Sequence, residues 1–356
     1  MLYEQALVEQ LNAALAEIPG AVLDPDVAIL LQDGWADAVI DVAINGRSLR
    51  LFVLVKRSAF PRDVRESIWQ LHEHLREIPD INGQRVPMVA SETVSPGARK
   101  HLQDARVGYF DESGSLYIPA DGVYVLVDRP MAKRQKRSIN AVFTGRRAQV
   151  LHAAWVCRRE WFGVQDVAER AQVSPATASQ TLTELERRDW VEVRGSGPTK
   201  ERRLSDRRAL LDAWAQHQRT SKPPEMRTYY VPESAVAPVV RKLDAVATQV
   251  GADYEITGAV AGQAHAPYMS HIGQIQCRIG AERADAVLAQ MNARSVIDGW
   301  NLAVIRADSP SDFAFRERNE FGWIADPLQT YLDLLQGGGR SSEFADHLRA
   351  ERLPTP

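Results

Sequence analysis

The stretch VQDVAERAQVSPATASQTLTELERRDWVEVRGSGPTKERRL, residues 164–204, decides how the chain is read. Val164, Val167, Ala168 and Ala171 recur at helical spacing, and the pattern breaks at Gln172-Val173. Ser174-Pro175 restarts the chain with a capping hydroxyl ahead of a proline whose fixed φ suits a first helical turn. The second helix is expected from Pro175 to Arg187, with Ala178, Leu182 and Leu185 as its buried stripe. Its other face carries Ala176, Thr177, Gln180, Thr181, Thr183 and Glu184, between Ser174 and Arg187 at its ends. These are short groups that allow close approach, plus one amide able to read an adenine edge with two hydrogen bonds. Trp190-Val191-Glu192-Val193 then reads as a strand, Gly195-Ser196-Gly197-Pro198 as a turn, and the residues up to Leu204 as a returning strand. Arg194, Lys200, Arg202 and Arg203 surround that hairpin, as a phosphate-contacting wing requires.

Working outward, Val150, Leu151, Ala154 and Trp155 mark a preceding helix, and Arg129 to Arg137 form a basic run before it. Net charge changes sign along the chain. Residues 1–128 hold 11 basic and 19 acidic side chains, a balance of −8, and residues 223–356 hold 12 and 17, a balance of −5. Between them residues 129–222 hold 20 and 10, or +10, which is the footprint of a segment that meets phosphates. Helix, helix, recognition-type helix and wing, from about Ile139 to Arg219, resemble the winged helix-turn-helix domains of bacterial MarR-like repressors. The Gly195–Lys200 run lacks the spacing of a phosphate-binding loop.

Strand-like runs at Val27–Gln32, Ala38–Ile44, Leu49–Val55 and Val86–Ser91, with helices at the start and over Asp63–Ile78, make residues 1–128 a mixed α/β domain. Gly108 to Ile118 is expected as two short strands joined by a turn, and Val123–Val127 as another strand. The hairpin from Asp37 to Lys56 resembles that of restriction-endonuclease-like PD-(D/E)xK folds, in which one strand supplies a metal-binding Asp and the next an acid two residues before a lysine. Asp37 or Asp41 and Lys56 match two of those roles, but Leu54 stands where the acid belongs. One carboxylate holds a divalent ion poorly, because hard cations need several oxygen ligands. A degenerate nuclease fold, with no metal, cofactor or catalysis, is the expectation; a metal-dependent DNA-cleaving or DNA-processing enzyme delivered by the winged helix is the alternative.

Residues 223–356 alternate strands at Gln274–Ile279 and Leu302–Arg306 with helices at Val236–Val250 and Ala281–Ala293, a second α/β domain. Asp326-Pro327 caps a helix through Leu335, Gly337-Gly338-Gly339 ends it, and a last helix covers Ser341–Arg352. Ile256-Thr257-Gly258-Ala259-Val260-Ala261, Asn301 to Ile305, Pro327 to Leu334 and Gly339-Arg340, with a Gly-Tyr, Asp, Ser-Gly pattern over Gly108–Gly114, resemble the AbiEi-type antitoxin regulators of type IV toxin–antitoxin systems. That resemblance implies a repressor acting at its own promoter and a carboxy-terminal domain that counteracts a nucleotidyltransferase toxin. In the simplest members the winged helix comes first; here it follows the nuclease-like domain.

Two cysteines, Cys157 and Cys277, support neither a disulfide framework nor a four-ligand metal site. His72 and His74, two apart on a helix, do not share a face, and Asp333 is expected at a surface or interface. No run approaches the length of a membrane helix, and the acidic, helical start does not read as a secretory signal, so a cytoplasmic protein is expected. The sequence therefore predicts a three-domain α/β chain, divided near 128 and 222, that acts as a transcriptional regulator. Its expected partners are double-stranded DNA, a second copy of itself, and a protein at the flanking domains.

Overall fold

Asn45 and Gly46 both take positive φ, 50° and 78°, the two-residue turn whose twist matches that of a right-handed β-ribbon. It joins β2 (Ala38–Ile44) to β3 (Arg47–Lys56) in an antiparallel register that pairs Asp41 with Arg50 and Ala38 with Val53. Around this hairpin a seven-stranded sheet is ordered β1-β2-β3-β4-β5-β6-β7. The other strands are β1 (Ala21–Leu30), β4 (Gln84–Ser91), β5 (Gly108–Asp111), β6 (Leu116–Ala120) and β7 (Val123–Val127). The pairs β3–β4 and β4–β5 are parallel and the rest antiparallel, so the crossover helices lie in the middle of the sheet.

Alternation along β2 and β3 divides the core into two layers. Ile40, Val42, Leu49, Leu51 and Val53 pack with Leu7, Leu11 and Leu15 of α1 (Leu2–Ala16) on one face. Phe52 and Leu54 pack on the other with Val64 and Leu71 of α2 (Pro61–Glu77) and Ala98 and Leu102 of α3 (Pro96–Asp104). Asp111, buried between β5 and β6, accepts hydrogen bonds from Ser113 N–H at 3.0 Å and Arg99 Nη2 at 2.8 Å. The Gly108–Gly114 pattern thus builds a carboxylate-held turn.

This computed structural model describes residues 2–30, 35–78, 83–130, 139–157, 160–233 and 235–353; most of the basic run 129–137, and Gln32, lie outside them. The chain is mixed α/β, with 12 α-helices among the described residues. It forms two compact units, Met1–Ala141 with Thr183–Val191, and Val142–Leu182 with Glu192–Pro356. The segment expected as a separate DNA-binding domain contributes to both.

In the second unit, α4 (Gly145–Trp155), α5 (Val164–Ala171) and the first half of α6 (Pro175–Arg187) precede a two-stranded sheet of β8 (Val191–Arg194), all but its first residue in this unit, and β9 (Glu201–Leu204), then α7 (Arg207–Thr220). A second seven-stranded mixed sheet follows, ordered β13-β10-β14-β12-β11-β16-β15. Its strands β12 (Ile275–Gly280) and β14 (Leu302–Ala307) were legible as strands, whereas β10 (Met226–Tyr230), β11 (Tyr254–Thr257), β13 (Arg294–Ser295), β15 (Glu317–Asn319) and β16 (Gly322–Ile324) were not. The helices are α8 (Val236–Val250), α9 (Gly258–His265), α10 (Ala281–Gln290), α11 (Pro327–Leu334) and α12 (Arg340–Arg352). His152 of α4 and Asp326, the N-cap of α11, are 2.9 Å apart and both buried, and the imidazole stacks on Phe315 at 3.9 Å.

Glu255 and Arg278 are cross-strand partners in β11 and β12, and Arg278 donates to Glu255 at 2.8 Å and to Asp333 at 2.7 Å. Gln329 and the Thr257 hydroxyl also donate to Asp333. Asp333, 8% exposed, is therefore part of a buried polar cluster and not the surface group expected. Burial pushes the Glu255 carboxyl up to about 7, against the attraction of Arg278. Because that value lies above the one in the unfolded chain, Glu255's contribution to stability is complete below about pH 4.5 and is lost as pH rises through about 7. Thermal midpoints of Glu255→Gln and the parent should consequently diverge between about pH 4.5 and 7, the variant falling less, and run parallel above that range; curves parallel from pH 4.5 to 7 would refute this. Arg278→Met leaves two buried carboxylates without their cation and should cost about 3–5 kcal/mol in denaturant unfolding.

Candidate nucleic-acid interface

Gln172 takes a left-handed φ of 52°, and Val173 N–H closes onto the Ala168 carbonyl at 3.0 Å. This lets α5 stop and α6 restart almost at once. The Ser174 hydroxyl accepts from Thr177 N–H at 3.2 Å, the capping bond that Ser-Pro predicts. Ala178, Leu182 and Leu185 are fully buried, and Ser174, Ala176 and Gln180 are exposed, with Thr177 half-buried. Thr181 departs from expectation: it is 0% exposed and its hydroxyl donates to the Thr177 carbonyl at 2.8 Å, so it offers nothing outward. It adjoins Leu182 and lies one turn from Ala178, which places it on the edge of the buried stripe.

The second half of α6 belongs to the first unit. There Arg187 donates to Asp63 at 2.8 Å and to the Ser58 hydroxyl at 2.7 Å, over the ring of Phe60. Glu186 and Asp189 pair with Arg62 and Arg65. Arg188 lies against the rings of Phe60 and Trp190, and burial pushes its guanidinium down to about 10. Glu184 is half-buried, 3.7 Å from Arg187 and 3.9 Å from Arg188. Glu184 and Arg187, expected to face DNA, are thus engaged in ion pairs within that unit.

In the hairpin, Gly195 takes a φ of 72°, and a Cβ there would come within 2.7 Å of the Thr199 carbonyl oxygen, so the tip requires glycine. Phe162 exchanges two backbone hydrogen bonds of 2.9 Å with Arg202, adding residues 161–163 as a short third rung beside β9. Arg202 is 3% exposed, with its guanidinium donating to the Lys200 carbonyl; the expectation of a surface cation is corrected, because alternation turns it inward beside Phe162. Lys200 is half-buried. Arg194 and Arg203 do reach the surface. Arg194 donates to Glu201 at 2.7 Å, and Arg203 pairs with Glu160 and, at 2.5 Å, with Glu192. Those hydrogen bonds hold the Arg203 guanidinium above its ordinary pKa. Both arginines lie over one ring, Trp161, with centroid distances of 4.4 and 5.0 Å. Sequence reasoning passed over Trp161, Glu160 and Glu192; the signal available was the Trp161-Phe162 pair, an alternation of half-buried and buried residues.

The three nuclease-like residues do not converge on an open site. Asp41 is held by Arg50 through two hydrogen bonds of 2.6 Å, and Asp37 accepts from Val55 N–H at 2.6 Å. Leu54 is buried against α2 and α3, and Lys56 is half-buried at the end of β3. Among the described residues, no group of three or more His, Cys, Asp or Glu side chains is placed to hold a metal ion, and no helix is long and apolar enough to cross a membrane. His74 bonds the Gln70 carbonyl at 2.7 Å and stacks on Trp35.

No protein-family model matches the chain, and no match was found among curated proteins.

Arg202 and Arg203, adjacent in sequence, should behave differently. Arg202→Ala is expected to lower unfolding free energy by about 1–3 kcal/mol, since it removes a buried, bonded group, whereas Arg203→Ala should leave the denaturation midpoint nearly unchanged. Equal losses in the two variants would contradict the geometry. Incubated with supercoiled DNA and magnesium or manganese, the protein should leave the plasmid closed. Nicking that disappears in Asp41→Ala and Lys56→Ala would reverse that reading.

Proposed function

We propose that the chain is a sequence-specific double-stranded-DNA-binding transcriptional regulator. One observation carries the reading. Helices α4, α5 and α6 and the β8–β9 hairpin follow one another in the order of a winged helix-turn-helix, and the solvent-facing first half of α6 presents Ser174, Ala176 and Gln180. Short side chains let the helix backbone come near base edges, and the Gln180 amide supplies a paired donor and acceptor suited to adenine. Arg194 and Arg203 at the hairpin offer guanidinium groups to phosphate oxygens. Their present carboxylate partners are exposed, so a phosphate can replace them without stripping a charge of water. The +10 balance of residues 129–222 favours the same partner through counterion release.

In this proposal the first half of α6 enters the major groove and the hairpin follows the backbone. A homodimer on a palindromic site, its recognition helices about 34–36 Å apart, completes it. The nuclease-like sheet serves as a scaffold and not as a catalyst. The AbiEi-type resemblance extends the reading to an autoregulating antitoxin whose carboxy-terminal domain meets a toxin partner.

Sequencing of genomic fragments retained by the purified protein should yield one enriched motif. On that motif Gln180→Ala should weaken binding by about 1–3 kcal/mol and relax one base position. Arg203→Ala should instead weaken all duplexes alike and flatten the salt slope by about one unit. Retention of no duplex at low salt, or parental behaviour of both variants, would sink the proposal.

A further inference from the structure

Phe162 points inward and is 2% exposed, so its neighbour Trp161 leaves the same extended segment on the opposite side. There one indole meets two cations from two different strands, Arg194 of β8 at 4.4 Å and Arg203 of β9 at 5.0 Å from its centroid. We propose that Trp161 is a positioning residue of this surface, a platform that holds both guanidinium groups ready for adjacent phosphates. The inference rests on the DNA-binding reading above and deepens it.

The chemistry of the groups explains why a ring suits the task. A guanidinium attracted to an aromatic face spends none of its five N–H donors, because the contact is electrostatic and uses the flat side of the group. Its edge donors stay available for oxygen anions, and here carboxylates already occupy some of them: Glu201 on Arg194, Glu160 and Glu192 on Arg203. These glutamates show that the edges are set for an anionic oxygen, and a phosphate diester offers the same acceptor. Without the ring, two long side chains at a hairpin would lose rotamer freedom on each binding event. With it, part of that ordering is completed before DNA arrives, the usual gain from preorganisation. The bridge between Phe162 and Arg202 fixes the platform in place, since it ties the segment bearing Trp161 to the strand bearing Arg203.

The test is a mutant cycle on a non-specific duplex, read as dissociation constant against salt. Trp161→Leu keeps an apolar side chain but removes the ring, and should weaken binding on the order of ten-fold, about two- to five-fold for each arginine released. Trp161→Phe should restore most of that loss at an equal thermal midpoint. In the Arg194→Ala/Arg203→Ala background, Trp161→Leu should have little further effect. Full additivity with the arginine changes, or Trp161→Leu binding like the parent, would overturn the platform while leaving the DNA reading intact. If instead the arginine double variant binds and responds to salt like the parent, the wing's role in DNA binding fails with it. Should Trp161→Leu not fold, relaxation of the guanidinium Nε groups in the parent decides. Arg194 and Arg203 should be more ordered than the exposed Arg208, and equal mobility would refute the proposal.

Discussion

Two backbone hydrogen bonds between Phe162 and Arg202 govern the hairpin region. A two-stranded ribbon is marginal in water, and a third rung with one buried face is what makes such a structure hold a register. Once that rung exists, period-two alternation assigns every neighbouring side chain. Phe162 and Arg202 go inward, and Trp161, Glu201 and Arg203 go outward. A slip of one residue that paired Phe162 with Arg203 would put both on the same face, burying the arginine or exposing the phenylalanine, so the bonding that stabilises the ribbon also decides which arginine meets solvent.

Net charge is a poor guide to that outcome. The middle segment carries a +10 balance, yet its basic groups divide by environment. Arg188 and Arg202 are buried, Arg187 is tied to Asp63, and Arg207 lies over Trp155 with its guanidinium depressed by burial. Arg194 and Arg203 are held outward, each by carboxylate and ring together. Composition counted all of these as equivalent, whereas desolvation separates those that support packing from those that can exchange one anion for another.

Much of the architecture was legible because burial writes itself into periodicity. The Asn45-Gly46 hairpin, the Ser174-Pro175 restart and the stripe of Ala178, Leu182 and Leu185 follow from local rules, and each occurs as expected. What could not be read depends on distant partners. Strands β10 and β11 are short, and β11 contains Glu255, a residue that belongs in a buried strand only because Arg278 stands opposite it. Helix α9 begins immediately after β11 at Gly258, leaving no turn signal to separate them. Thr181 was misplaced because a hydroxyl looks polar in sequence, but one bonded to the carbonyl four residues back behaves as a core group.

The same distinction bears on the two regions that resembled known machinery. Asp41 satisfies a nuclease pattern by position, but its two oxygens are engaged by Arg50 in a cross-strand pair, and the position that should hold the second acid is a leucine buried against two helices. Leu54→Glu would therefore place an uncompensated carboxylate in the apolar layer that Leu54 shares with α2 and α3. Asp333 lies in a stretch resembling an antitoxin motif, and it likewise has a structural use: it helps to neutralise Arg278 beneath α11. In both places motif residues are already engaged by the fold. Gln180 on α6 and the two arginines over Trp161 instead face outward, and the DNA-binding proposal rests on these.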